Sequence, residues 1–233
     1  MSSSESSPAE LEFPQSPSAK EIRSDHAAAL AWLKTTIATL YVAERTSASH
    51  GKPPTLTRNA YLGLYSTVHE YTEATKTARA SPNTNDLYQY LWEQIKFHCS
   101  VVRARLYAAE ISPGVDDARQ TVESYLSEWH QFTLLAGLVS NLLRSLDRTW
   151  IKRLIDEQKK DIHLIRDLHN LVWKNEILQT GVDPTEAEKI VSVVATLREQ
   201  NEEDDKALVD KFTKSLEAIG VRPVVKADDG SST

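Results

Sequence analysis

Between Val122 and Leu146 the residues Val122, Tyr125, Trp129, Phe132, Ala136, Val139, Leu143 and Leu146 recur at alternating spacings of three and four, and Leu135, Leu138 and Leu142 form a second stripe beside the first. That period is helical, and two stripes make the helix apolar on two sides. Such a helix belongs in the middle of a bundle, touching several neighbours. An intermolecular coiled coil is the alternative. The positions flanking the seam lack a regular Glu/Lys code, and Trp129 and Phe132 are bulky for a two-stranded seam, so packing within the chain is the better reading. Only seven glycines occur in 233 residues, against an ordinary frequency of ~7%, which leaves too few turn residues for many short strands. The fold class is all-α, a helical bundle or stalk of about seven helices.

The other helices follow from the same period. Leu30, Leu33, Ile37, Leu40 and Tyr41 predict a first helix from Asp25 to about Thr46, with Ser24 or Asp25 as N-cap. Gly51, Pro53 and Pro54 mark a loop, after which Leu56, Ala60, Leu64, Val68 and Tyr71 predict a second helix ending near Arg79. A third is capped by Asn85, runs through Leu87, Leu91, Ile95, Val102 and Leu106, and is closed by Pro113-Gly114. The fifth carries Trp150, Leu154, Ile155, Ile162, Ile165, Leu168 and Val172 and reads as one long helix ending before Gly181. Asp183-Pro184-Thr185-Glu186 is a start signal for a sixth helix through Val194 and Leu197. A last helix holds Leu208, Phe212, Leu216 and Ile219 and is stopped by Gly220 and Pro223.

A net charge of −6 opposes non-specific attraction to nucleic acid or anionic lipid, so neither is an expected partner. The N-terminus lacks a signal peptide pattern, and no apolar run reaches the ~18 residues of a membrane span. The lone Cys99 excludes an internal disulfide and a cysteine-built zinc site, and it fits a cytoplasmic or nuclear protein. Nucleotide-binding, hydrolase and metalloprotease motifs are missing. His163 and His169 lie six apart, on different sides of a helix, and with Asp161 and Asp167 read as solvated or capping residues rather than metal ligands. His98 and Cys99 are adjacent on a helix and diverge, so a buried structural thiol is expected, not a nucleophile pair. Lys152-Arg153 and Lys159-Lys160 interleave with Asp156, Glu157 and Asp161 and read as a solvated face. No catalytic residue, metal or cofactor is expected: the chain reads as a non-enzyme.

Bulk packing explains the second helix least. Leu64, Val68 and Tyr71 belong to its core stripe, whereas Tyr61, Leu62, Tyr65 and His69 form a neighbouring, rotated stripe. Such side chains either anchor an interface or contact the first helix, and pattern alone leaves the two even.

These residues resemble a known family. Tyr61-Leu-Gly-Leu-Tyr-Ser-Thr-Val-His-Glu-Tyr-Thr72 resembles the second helix of the cullin N-terminal repeat, whose pattern reads Tyr-Met-x-Leu-Tyr-Thr-x-Val-Tyr-x-Tyr-Cys. Asp86-Leu87-Tyr88 is similar to the Glu-Leu-Tyr that opens the family's next helix, Trp129 to Phe132 to its Gln-Trp-x-x-Tyr, and Leu146-Asp147-Arg148-Thr149-Trp150-Ile151 to its Leu-Asn-Arg-x-Trp-Val. The matches run in family order from about Asp25 to Gly220.

The resemblance implies a cullin-repeat-like organisation. It consists of a five-helix bundle over 21–180 and the start of a second helical repeat over 181–221, to which polar composition adds a disordered Ser/Pro-rich tail over 1–20 and a flexible tail over 222–233. It implies a non-catalytic module, monomeric on its own, that binds a Skp-type adaptor of F-box proteins or a BTB protein. The expected docking face holds Tyr61, Leu62, Tyr65, His69, Ser145, Asp147 and Arg148. The cullin segments that hold a RING-box subunit and accept Nedd8 have no counterpart here, so a competitor that binds no RING-box subunit is expected, with a helical scaffold for an unrelated partner as the alternative. His69 stands where the family usually has Tyr, and Ser145 where it often has Tyr, which implies weakened or redirected binding that His69→Tyr and Ser145→Tyr would restore. A circular dichroism spectrum of the purified chain should show roughly two-thirds helix; a spectrum dominated by strand refutes the fold class.

Overall fold

The computed structural model describes residues 10–47, 54–77, 83–108, 115–178, 194, 197 and 203–221. The Ser18 hydroxyl accepts the Glu21 N–H while the Glu21 carboxylate accepts the Ser18 N–H at 2.7 Å, a capping box that opens α1 (Ala19–Ser24). Asp25 then leaves the helical region, with φ −140° and ψ 84°, and its Oδ1 accepts the Ala28 N–H at 2.9 Å. The chain thus starts again as α2 (His26–Ser47), one residue after a helix that periodicity did not show.

Residues 10–18 depart from the expected tail over 1–20. Leu11 N–H donates to Thr55 O at 2.8 Å, Thr57 N–H donates to Leu11 O at 3.2 Å, and the Trp32 indole N–H donates to Pro14 O at 3.3 Å. Leu11 and Phe13 pack on the core. The two apolar side chains and these backbone bonds offset the ordering entropy that the surrounding Ser, Pro and Glu could not.

Thr57 Oγ1 accepts the Ala60 N–H and opens α3 (Arg58–Thr77). Next come α4 (Asn83–Ala108), which begins two residues before the expected Asn85, and α5 (Val115–Leu142). The stripe of α5 buries Val122, Tyr125, Phe132, Leu135, Val139 and Leu142 at 1% exposure or less. As its two apolar sides require, α5 is central and touches α2, α3 and α4. Leu143, at φ −96° and ψ 17°, breaks the helix before α6 (Arg144–Leu146), a π-helical turn (Asp147–Ile151) and α7 (Lys152–Asp156).

The long fifth helix expected from Trp150 to Val172 is not continuous. Gln158 turns left-handed at φ 61°, and α8 (Ile165–Trp173), with a π-helical turn (Lys174–Leu178), starts only after an open segment. From Asp156 to Asp161 no apolar side chain holds the chain to the core. The backbone groups released there find long-range partners. The Tyr88 hydroxyl accepts the His163 N–H at 2.9 Å and donates to His163 O at 3.2 Å, and Asp147 Oδ1 accepts the Ile165 N–H at 2.9 Å.

The last described helix, α9 (Glu203–Ala218), packs on α5. Phe212 meets Tyr125 edge-on at 5.0 Å, and Arg119 reaches the buried Asp205 at 2.7 Å. Gly220, at φ +71°, closes it as expected, with the Val221 N–H returning to Leu216 O. The start signal at Asp183 lies outside the described residues; Val194 and Leu197, expected in the sixth helix, are helical and buried.

Among the polar groups taken into the core, His169 corrects its reading as solvated or capping, since it is fully buried. Its Nδ1 lies 2.6 Å from Ile165 O, and a carbonyl only accepts, so Nδ1 carries the proton and the bare Nε2 accepts from the Tyr41 hydroxyl at 2.7 Å. Burial pushes this imidazole down to about 4. Nearby, Glu44 Oε2 approaches His98 Nδ1 to 3.3 Å, without hydrogen-bond alignment, and both side chains are at most 2% exposed. Burial, then the Arg45 and Arg105 charges, push His98 down to about 3; burial, then the Glu128 charge, push Glu44 up to about 7. Cys99 is buried beside them, as expected of a structural thiol.

The histidines bind fewer protons in the folded state than in the unfolded one, so their contribution is lost as pH falls from about 6.5 toward 3. Glu44 has the opposite sign: its folded value exceeds its unfolded one, so its contribution is lost as pH rises from about 4.5 through 7. Glu44→Gln removes that ionisation. Relative to the unsubstituted chain it should therefore gain about 1–3 kcal/mol between pH 5 and pH 8. Urea midpoints of both proteins at the two pH values check this; an unchanged difference contradicts a protonated, buried Glu44.

Candidate partner-docking face

The helical period of α3 divides its surface. Leu64, Val68, Tyr71 and Thr75 face the core, while Tyr61, Leu62, Tyr65 and His69 turn toward one flank. On that flank Leu62 is 50% exposed and Tyr65 38% exposed, and His69 is exposed. Tyr61 is half-buried and packs on the core, its ring nearly parallel to that of Tyr65 at 6.5 Å. Leu62 and Tyr65 thus present large side chains on a rigid helix with few rotors to order on contact, which suits them as interface anchors.

Beside this flank lies α6. Ser145 Oγ is 3.2 Å from His69 Nδ1 and 2.8 Å from Thr72 Oγ1, while Thr149 Oγ1 donates to Ser145 O at 2.7 Å. The two positions that depart from the cullin pattern therefore meet each other. Thr72 completes their chain and was not singled out from sequence, although its position three residues after His69 puts it on the same flank.

The seven expected site residues do not play one role. Ser145 is only 8% exposed and joins α6 to α3, so it is not an open anchor position. Asp147, expected at the rim, is half-buried and holds the first N–H of α8. Burial raises its carboxyl to about 6, against the opposing effect of the Ile165 N–H, with Asp167 adding to the rise. Arg148 is exposed, as is Arg144 one turn before it. The structure thus exposes Leu62, Tyr65 and His69 on one flank of α3, with Tyr61 half-buried at its base and a polar brace behind it, and leaves Arg148 exposed on the turn that follows α6. Such a surface can bind; the Ser145 hydroxyl that lies beside the His69 imidazole is only 8% exposed and serves the brace. Among the described residues no group of three or more His, Cys, Asp or Glu side chains is placed to hold a metal, and no helix is long and apolar enough to cross a membrane.

The family model described as the cullin alpha solenoid domain matches residues 48–224, more than half of the chain. The chain belongs to the cullin family. Its curated relatives include Cullin-1 of Caenorhabditis elegans, 23% identical over an alignment of 137 residues that covers 50% of this chain and 17% of that protein. Cullin-1 of Dictyostelium discoideum is 24% identical over an alignment of 131 residues that covers 51% of this chain and 16% of that protein. The matched part spans about a sixth of each of these cullins. The match bears out the all-α, cullin-repeat-like reading and makes this a scaffold-related helical module.

Three substitutions separate brace from surface. Ser145→Tyr puts a phenol into a packed seam between α3 and α6, where overpacking costs about 1–3 kcal/mol. Asp147→Ala strands the Ile165 N–H at a cost of about 1–3 kcal/mol, whereas Asp147→Asn keeps the acceptor. Equilibrium unfolding of the three variants should show the first two destabilised and the third close to the unsubstituted chain. Equal stability for all three contradicts the brace.

Proposed function

We propose that this cullin-family chain is a non-catalytic interaction module of the ubiquitin-ligase system that binds a Skp-type adaptor of F-box proteins, or a BTB protein, through the outer flank of α3. The observation that carries this reading is the pair Leu62 and Tyr65, exposed on the helix whose sequence matches the cullin pattern. Arg148 supplies a charged rim. On this reading residues 1–233 compete with other cullins for the same adaptor. We place it in the cytoplasm or nucleus, where such adaptors work.

A second reading is a helical scaffold for an unrelated partner, favoured by the His69–Ser145–Thr72 chain, which puts polar groups where the family commonly carries aromatic ones. Titration calorimetry with a Skp-type adaptor and with a BTB protein separates the two. On the first reading one adaptor binds, and Leu62→Asp or Tyr65→Ala weakens it by about 1–3 kcal/mol with the melting temperature nearly unchanged. Tyr61→Ala weakens binding too, with some loss of stability because its ring is half-buried. No heat with either adaptor, or equal affinity for all variants, points to the second reading.

A further inference from the structure

Four of the nine prolines in the chain directly follow a serine: Ser7-Pro8, Ser16-Pro17, Ser81-Pro82 and Ser112-Pro113. Serines number 22 in 233 residues, so random placement would give about one such pair among nine prolines. Among the described residues the structure shows one of them, Ser16-Pro17, and its position is unusual. It sits in the strap of residues 10–18, which crosses the flank of α3 opposite to Tyr61 and Tyr65. Ser16 is half-buried, and its Oγ lies 3.3 Å from the point that a Cβ on Gly63 would occupy. Gly63, which stands alone within its helix, leaves the room that the Ser16 side chain uses.

The strap is lightly held. Among the described residues, two backbone bonds at Leu11, one indole bond to Pro14 O and two apolar side chains attach it ahead of the capping box. Beneath it runs a groove of about 290 Å³ lined by Glu12, Phe13, Pro14, Ser16, Trp32 and Gly63. Pro17 restricts Ser16 to extended backbone, the conformation in which a peptide threads a kinase cleft.

We propose that Ser16 is a phosphorylation site for a proline-directed serine/threonine kinase, and that the modified strap leaves its seat on α3. In the transfer the Ser16 Oγ–phosphorus bond forms as the bond from the γ-phosphorus to the bridging oxygen of ATP breaks. The hydroxyl proton passes to the kinase's base, and ADP departs. The product places a phosphorus and three oxygens on an atom seated in the room that Gly63 leaves on α3, and adds negative charge beside Glu12. The kinase takes the strap in its open state, and the phosphate prevents it from closing again, so modification shifts a population that opens on its own.

The test uses the full chain with Ser7→Ala, Ser81→Ala and Ser112→Ala, which leaves Ser16 as its one Ser-Pro acceptor. After incubation with a proline-directed kinase, ATP and magnesium, mass spectrometry should find one phosphoryl group, on Ser16. Amide exchange over residues 10–18 should then quicken by about tenfold or more while α5 is unchanged. Trp32→Phe, which removes the indole bond to Pro14 O and trims the ring that lines the groove, should speed phosphorylation. The idea is overturned if Ser16 stays unmodified in the folded chain, if the modified strap exchanges as slowly as before, or if Trp32→Phe leaves the rate unaltered.

Discussion

Phe132 and Trp173 meet with ring centroids 4.6 Å apart, and much of the bundle is arranged around that contact. Trp129 adds its ring to Trp173 at 5.3 Å, Tyr125 accepts the Trp173 indole N–H at 3.3 Å, and Phe212 closes on Tyr125 from α9. One face of α5 thereby gathers α8 and α9. Its other apolar side is left for the earlier helices, where Phe132 also faces His98 of α4, while His169 of α8 meets the same ring. A helix that must bury two sides forces its neighbours to enclose it, which is why a chain with so few turn residues still closes into a core.

Much of this was legible in the chain because helical period is a local property. The stripes through Leu33, Leu64, Leu91 and Phe132 located α2 to α5, and Gly220 located the end of α9. The break after Asp156 was not legible, because what stabilises it is distant in sequence: a tyrosine hydroxyl from α4 and an aspartate from the turn before α7. The strap of residues 10–18 was missed for the same reason, since composition registers its serines and glutamates but not the indole that binds it.

The docking face divides along the same line. Leu62 and Tyr65 stand a turn apart on one helix, so their shared exposure follows from the 100° step. The burial of Ser145 depends on where α6 comes to rest, and that is set by Leu143 and Leu146 packing below it. His69 and Ser145 each looked like an isolated loss of an aromatic; brought together they form one polar chain with Thr72, a relation between helices that no spacing within either could express.

The hydroxyl of Tyr88 both accepts from and donates to the peptide groups of His163, which a helical neighbour would otherwise do. The height at which α8 begins is thus set by a side chain from another helix and owes nothing to the length of the chain between Asp156 and Ile162. That connection is free to lengthen, shorten or change composition in related chains while α8 keeps its register, whereas residue 88 is not free to lose its oxygen.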